Sequence, residues 1–234
     1  LGNEDLKPET SLNKEIGLAF SGANGTNATL TLFHNDYKNK IQSGTTQVGT
    51  VALANGRTAR LFQWENIPDA EVAGVEGSFA RDLREDLRLS LNGTYMITSK
   101  QKLHFDGGTN SATGVSYDAI DVEVPLSLVP RYTINASLDW QVTDALTLIP
   151  SLTHYGKISA TTVSATTGYA ATSTEAVDPY TIANLGVTYD FTDDLRLTGG
   201  VTNLLDKQVL RSGDGAQTYN EPGRAVYVGL TARF

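Results

Sequence analysis

One pattern recurs nine times along the chain and limits what it can fold into: a short segment in which every second residue is apolar. The last repeat is the cleanest. From Gly223 to Phe234, Val226, Val228, Leu230, Ala232 and Phe234 share one face of an extended strand, while Tyr227, Gly229, Thr231 and Arg233 share the other. Alone, such a strand is equally suited to the half-buried edge of a soluble sheet. Its repetition makes it informative.

The first two repeats are Ser11 to Ser21, with Ile16, Leu18 and Phe20 in register, and Asn27 to Tyr37, with Ala28, Leu30 and Leu32. A third spans Leu61 to Arg81 and alternates through Ala73, Val75, Gly77 and Phe79; Pro68 predicts a break or bulge within it, since proline has no N–H for the ladder. Further repeats run Leu87 to Ile97, Ile134 to Val142, Leu146 to Leu152, Ala183 to Phe191 and Leu195 to Val201. The links alternate. Gly22 to Thr26, Asp82 to Asp86, Thr143 to Ala145 and Thr192 to Asp194 are tight turns, whereas 42–59, 100–124, 157–178 and 211–222 read as long polar segments.

That asymmetry, one tight rim and one rim of large loops, belongs to outer-membrane barrels. So does the placement of aromatic residues on the apolar face: Phe20, Phe79, Trp140, Tyr189, Phe191 and Phe234 all stand just before a tight turn or at the end, where an interfacial girdle would lie. The fold class expected is therefore all-β, an antiparallel transmembrane β-barrel. A soluble sandwich would share the alternation but would not place the aromatics. No stretch approaches the roughly 20 apolar residues of a membrane helix, a test that barrel strands of about 9 to 11 residues do not face. Net charge of -8 argues against a nucleic-acid surface, and the absence of cysteine excludes disulfides and thiolate metal sites. Leu1 to Thr10 do not form a signal peptide, and the chain reads as a mature or cut segment. An odd strand count predicts a sheet that does not close by itself, because single-chain bacterial barrels have even numbers and open edges are costly in lipid.

Several runs carry a resemblance. Leu6-Lys-Pro-Glu-Thr-Ser with Asn13-Lys-Glu-Ile-Gly-Leu, Phe33-His-Asn-Asp-Tyr-Lys-Asn-Lys-Ile, Gln63-Trp-Glu-Asn-Ile-Pro with Gly74-Val-Glu-Gly, Val129-Pro-Arg-Tyr-Thr-Ile-Asn, Thr202-Asn-Leu-Leu-Asp-Lys and Tyr219-Asn-Glu-Pro-Gly-Arg stand in that order. Together they resemble the C-terminal part of a TonB-dependent outer-membrane receptor of the ferric enterobactin, or catecholate siderophore, type, over about Leu6 to Phe234. The resemblance implies that residues 1–234 are about nine strands of a 22-stranded barrel in the outer membrane of a Gram-negative bacterium, with the plug domain and the preceding strands lying outside this chain. It implies a ferric catecholate siderophore as cargo, the TonB complex as a partner through the plug, the remaining plug and barrel portion as a separate chain, and contact with membrane lipid and lipopolysaccharide. Iron would arrive inside the chelate, so no resident cofactor is expected.

The residues themselves show no catalytic constellation, which fits a receptor and not an enzyme. His34, His104 and His154 lack metal-ligand spacing. An anionic, aromatic cargo calls for Arg and Lys, and for Tyr or Trp, on the loop rim. Arg57, Arg60, Trp64, Arg211 and Tyr219 are the main candidates, within a wider set that adds Lys100, Lys102, Tyr117, Lys157 and Tyr169. Each also fits a plainer role: a solvated loop charge, a lipopolysaccharide contact or an interfacial tyrosine. Glu76 is expected to face the lumen and Arg224 to stand at the loop-side end of the last strand, and both suit a structural salt bridge as well as any other role. A passive porin or a purely structural barrel is the competing function.

Overall fold

A computed structural model describes residues 2–105, 108–109, 114, 116–126, 129–163, 171–212 and 219–233, with the backbone alone described at 42–47, 60, 67–68, 104–105, 108, 117, 159–163, 171–176, 210–212 and 219. The strands are β1 (Thr10–Ser21), β2 (Asn27–Ala52), β3 (Thr58–Arg84), β4 (Leu87–Phe105), β5 (Gly108–Thr109), β6 (Ser116–Tyr117), β7 (Ile120–Pro125), β8 (Tyr132–Gln141), β9 (Leu146–Tyr155), β10 (Ile158–Val163), β11 (Ala171–Val177), β12 (Tyr180–Thr192), β13 (Leu195–Thr202), β14 (Leu210–Ser212), β15 (Tyr219–Asn220) and β16 (Ala225–Ala232). No helix occurs among the described residues.

Nine of these strands form one antiparallel wall in the order β1-β2-β3-β4-β8-β9-β12-β13-β16, with β7 paired to the far part of β4. They are the nine expected from the alternation. The path begins at β1 and ends at β16 without joining them, so the described wall is open.

Register puts the apolar residues on one face. Ile16 pairs with Leu32, Leu32 with Val75 and Val75 with Tyr95; further along, Leu148 pairs with Val187 and Leu197 with Leu230. Nothing among the described residues covers that face. Leu18 is 75% exposed and Val228 76%, Leu230 is exposed, and Leu138 and Val187 are only half-buried. The buried apolar side chains, Ala70, Ala73, Val124, Ile158, Tyr180 and Ile182, lie toward the loop end. A soluble sheet would hide such a stripe under a second layer; this one leaves it to an apolar solvent, the arrangement of a membrane barrel.

Four tight turns share one rim: Gly22–Thr26, Glu85–Asp86, Val142–Ala145 and Asp193–Asp194. Phe20, Phe79, Trp140, Tyr189 and Phe191 stand on the outer face beside it, with Tyr189 and Phe191 edge to face at 4.9 Å. Phe234 lies outside the described residues.

The opposite rim corrects the expectation of loops. Residues 42–59 are mostly strand: β2 and β3 stay paired as far as Ala52 and Thr58, with register shifts between Ser43 and Gln47 and between Gln47 and Gly49. Residues 157–178 contain the hairpin β10–β11, and 100–124 continue β4 and add β7. The sequence of these segments lacks an apolar period, so the alternation that reveals a strand is missing. Pro68 makes no bulge. The rungs Lys38 to Asp69 and Lys40 to Ile67 keep one register on either side of it, and the residue between Lys38 and Lys40, Asn39, takes a left-handed φ of 55°.

Gly74 marks a bulge between β3 and β4, where the register shifts between Ala73 and Gly74. A Cβ there would lie 2.5 Å from the Tyr95 carbonyl oxygen and 2.7 Å from the Phe33 ring, so only glycine fits.

Candidate functional site on the loop side of the wall

The face opposite the apolar one is a ladder of short polar side chains. Thr29 and Ser78 hydroxyls bond at 2.6 Å, Asn135 Nδ2 donates to Asn92 Oδ1 at 2.8 Å, and Thr153 Oγ1 donates to Asn135 Oδ1 at 2.8 Å. Glu76 pairs with Thr31 on this face and is exposed, as expected for a lumen residue. Near the tight rim two inward cations are neutralised: Arg88 Nη1 meets Asp82 Oδ1 at 2.6 Å, and Arg196 Nη2 meets Asp190 Oδ2 at 2.9 Å. Arg233, at the end of the last strand with the same parity, is exposed and has no carboxylate partner among the described residues.

The β2–β3 hairpin rises beyond the apolar band and carries three of the five principal candidates. Arg57 closes its tip. Leu53 N–H donates to Arg57 O at 2.7 Å, Arg57 N–H donates to Asn55 Oδ1 at 3.1 Å, and Gly56 takes the left-handed φ of 77° the turn requires. Trp64 lies opposite Ser43 with the inner parity of Glu76, and its side chain is 49% exposed. Arg60 pairs with Thr50, but its side chain lies outside the described residues, as do those of Arg211 and Tyr219 on β14–β15. The candidates thus fall into two groups separated by five strand spacings, about 24 Å along the wall. Tyr169 lies outside the described residues, as does the side chain of Tyr117.

Three of the wider candidates are misplaced by sequence reasoning. Lys100 pairs with Glu71 and Lys102 with Glu123, and parity puts all four on the outer face, above the apolar band. There Lys100 Nζ stands 3.1 Å from Glu123 and 3.4 Å from Glu71, and His34 Nε2 reaches Glu71 Oε1 at 3.1 Å. The His34 hydrogen bond, then Lys100, hold the Glu71 carboxyl below the usual carboxylate range; Glu123, then Glu71, hold Lys100 above the usual amine value. Lys157 is outward as well, since its neighbour Ile158 is buried on the inner side with Tyr180 and Ile182. His154 bonds Thr181 at 2.8 Å and stacks on Tyr132. No group of three or more metal-ligating side chains occurs among the described residues.

What sequence reasoning missed is the role of the quoted motifs as locks. Asn66 accepts from Lys7 N–H at 2.8 Å and donates to Lys7 O at 2.9 Å and Asn39 O at 2.6 Å, so three motifs meet at one side chain. Asn3 Nδ2 donates to Trp64 O at 2.9 Å, and Ile41 N–H to Glu9 Oε1 at 2.6 Å, which stitch residues 2–9 along the hairpin. Asn203 does the same at the last strand. Only 3% exposed and left-handed at φ 47°, it accepts from Lys207 N–H at 2.7 Å and donates to Lys207 O at 3.0 Å and Pro222 O at 2.9 Å. Its own N–H donates to Asn184 Oδ1 at 2.9 Å. Arg224 N–H donates to Asp206 Oδ1 at 2.9 Å and its side chain faces the same carboxylate, which is the structural alternative of those open to it.

With this geometry in hand, comparison with known proteins is specific. The TonB dependent receptor-like, beta-barrel family model matches residues 1–204. The chain is 43% identical to the ferric enterobactin receptor of Pseudomonas aeruginosa, over all of this chain and 30% of that protein, and 38% identical to the ferrienterobactin receptor of Escherichia coli, again over all of this chain and 30% of the relative. Among solved structures, the siderophore receptor PirA from Acinetobacter baumannii superposes with a TM-score of 0.72 at 39% identity, over 99% of this chain and 33% of that one. The ferric enterobactin receptor of Pseudomonas aeruginosa has been solved in complex with enterobactin, and one such structure matches at a TM-score of 0.70 and 39% identity over 98% of this chain and 32% of that one. The chain therefore spans about 30% of the length of the curated relatives it matches. The family is one of receptors and transporters and not of enzymes, and its place is the outer membrane of Gram-negative bacteria. The nine-stranded wall with its outward apolar face belongs to the TonB-dependent receptor-like β-barrel family.

Proposed function

We propose that this chain is the C-terminal sector of a 22-stranded outer-membrane receptor that binds ferric catecholate siderophores of the enterobactin kind and imports them with energy from TonB. The observation that carries this reading is the similarity of the whole of this chain to part of ferric enterobactin receptors, at 43% identity to one of them. The open edges at β1 and β16 support a sector, because unpaired backbone groups in hydrocarbon need strands from elsewhere in the barrel. Arg57, Arg60 and Trp64 on one hairpin, with Arg211 and Tyr219 on another, supply charge and aromatic faces to an anionic catecholate from two sides. Iron stays inside its chelate, so the chain contributes no metal ligand and no resident cofactor, and breaks no bond. The plug, the preceding strands, the TonB complex and outer-leaflet lipopolysaccharide are its partners in this reading.

The test is uptake of radiolabelled ferric enterobactin by cells whose only catecholate receptor is the whole protein containing this chain. Uptake that requires TonB and falls at least tenfold when residues 53–57 are excised supports the proposal. TonB-independent ion conductance without chelate uptake would establish the passive pore in its place.

A further inference from the structure

Where β7 leaves β4 and β8 takes over, the outer face carries a groove. Lys100 pairs with Pro125 and Tyr95 with Tyr132, and residues 96–99 of β4 lie between these two ladders. Ile97, Leu126, Val129 and Pro130 line the groove, together with Lys100, Arg131, Lys157 and Glu123. Lys100 is held between Glu71 and Glu123. Arg131 and Lys157 have no carboxylate partner among the described residues.

Arg131 is held in place by its neighbours. Its guanidinium lies 5.0 Å from the centre of the Tyr95 ring, with Nη1 donating to Ile97 O at 3.1 Å and Nη2 to Tyr95 Oη at 3.2 Å. Two of its five N–H groups are thereby used and three remain. The Arg131 N–H donates to Lys157 O at 3.0 Å, so the main chains that carry the two cations are tied together, and both residues line the groove.

Height decides what these cations face. Tyr132 and Trp140 are the ends of the outer apolar run on β8, eight residues apart. That is about 27 Å of strand and about 20 Å of membrane normal at a tilt near 40°, against an apolar band of about 25 Å. Trp140 marks the turn-side boundary, so Tyr132, with His154 stacked on it at 5.7 Å, marks the other. Arg131 and Lys157 stand immediately beyond it, outside the barrel, where siderophore in the lumen cannot reach them.

We infer that the groove around Arg131 and Lys157 binds the phosphate of an outer-leaflet phosphoglycolipid, with its acyl chains lying on Ile97 and the apolar residues below. This rests on the outer-membrane placement and not on the identity of the cargo. Two free cations above hydrocarbon-facing side chains match a phosphate joined to acyl chains, whereas free phosphate would gain nothing from Ile97 or Leu126.

The test uses the whole receptor in neutral detergent, with native mass spectrometry reading retained lipid. The probes are a bisphosphorylated glucosamine-disaccharide lipid, its dephosphorylated counterpart and inorganic phosphate. The double variant Arg131→Gln, Lys157→Gln is expected to bind the phosphorylated lipid about 30-fold more weakly, about fivefold per lost cation. Arg131→Lys with Lys157→Arg keeps most of the affinity, and Arg57→Gln leaves lipid retention unchanged. Heat-modifiable mobility on gels confirms that each variant is folded. Equal retention by the wild type and the double variant, equal binding of the dephosphorylated lipid, or competition by millimolar phosphate alone would overturn the inference. Failure of siderophore uptake in the wild type would sink the proposed cargo and leave this result untouched.

Discussion

At the tight rim, hairpins close through bonds that span a few residues. Thr143 Oγ1 accepts from Ala145 N–H at 3.3 Å and from Leu146 N–H at 3.0 Å, and Thr192 Oγ1 accepts from Asp194 N–H at 3.3 Å. At the loop rim the corresponding bonds cross long stretches of chain: Asn66 to Lys7 over 59 residues, Asn3 to Trp64 over 61, Asn203 to Pro222 over 19. The first rim is locally encoded turn chemistry, and the second is held by asparagine side chains that meet partners only once the wall has formed. Hairpins that project from a barrel have no hydrophobic layer to orient them. Side-chain to backbone locks do that work instead.

If that contrast is right, breaking an asparagine should cost more than breaking a threonine. Asn203→Ala removes the three bonds made by its side chain, leaves buried backbone groups unpaired and forces alanine to a positive φ, so a loss of about 3 kcal/mol is expected, read as a lower midpoint in thermal unfolding of the whole receptor. An unchanged midpoint would refute the lock. Asn66→Ala should act locally, loosening the β2–β3 hairpin by about 1 to 2 kcal/mol and speeding limited proteolysis between residues 48 and 58 while global unfolding stays near wild type. At the tight rim, Thr143→Ala is expected to cost about 0.5 to 1 kcal/mol, and a value above that of Asn203→Ala would invert the comparison.

The smallest effect concerns the outer charged belt. Because His34 and Lys100 depress the Glu71 carboxyl, its contribution is present above the ordinary glutamate pKa of about 4.3 and is lost as pH falls through the lowered folded value. Wild type and Glu71→Gln should therefore differ slightly in unfolding midpoint at neutral pH and converge in acid. Divergence in acid would assign the belt to something other than this ion pairing.

The membrane-spanning part of the wall was legible because hydrocarbon on one side and water on the other impose a strict period on residues such as Ile16, Leu18 and Phe20. The same residues showed where the chain turns. Above the band the period vanishes, so 42–59 resembled a loop although β2 and β3 remain paired there. Trp64 and Arg57 stand out in the sequence only as residue types suited to the proposed anionic aromatic cargo. The outward parity of Lys100 and Lys102 could not, because it depends on Ile97, an extra residue in β4 beside the bulge at Gly74, which reverses the faces beyond it. Asn66 and Asn203 were visible inside recurring motifs, but their partners at Lys7 and Pro222 are close only in three dimensions.

On the inner face, Tyr227 shares a rung with Gly200, which in turn pairs with Gly186. A Cβ on Gly200 would fall 2.6 Å from the Tyr227 hydroxyl oxygen and 2.8 Å from a ring carbon. The ring can therefore lie against bare backbone where a side chain would otherwise stand. An alanine at 200 would tip the phenol toward the axis and narrow the bore by roughly the thickness of a methyl group, about 2 Å. Two missing side chains thus keep clear a width that a bulky cargo would need.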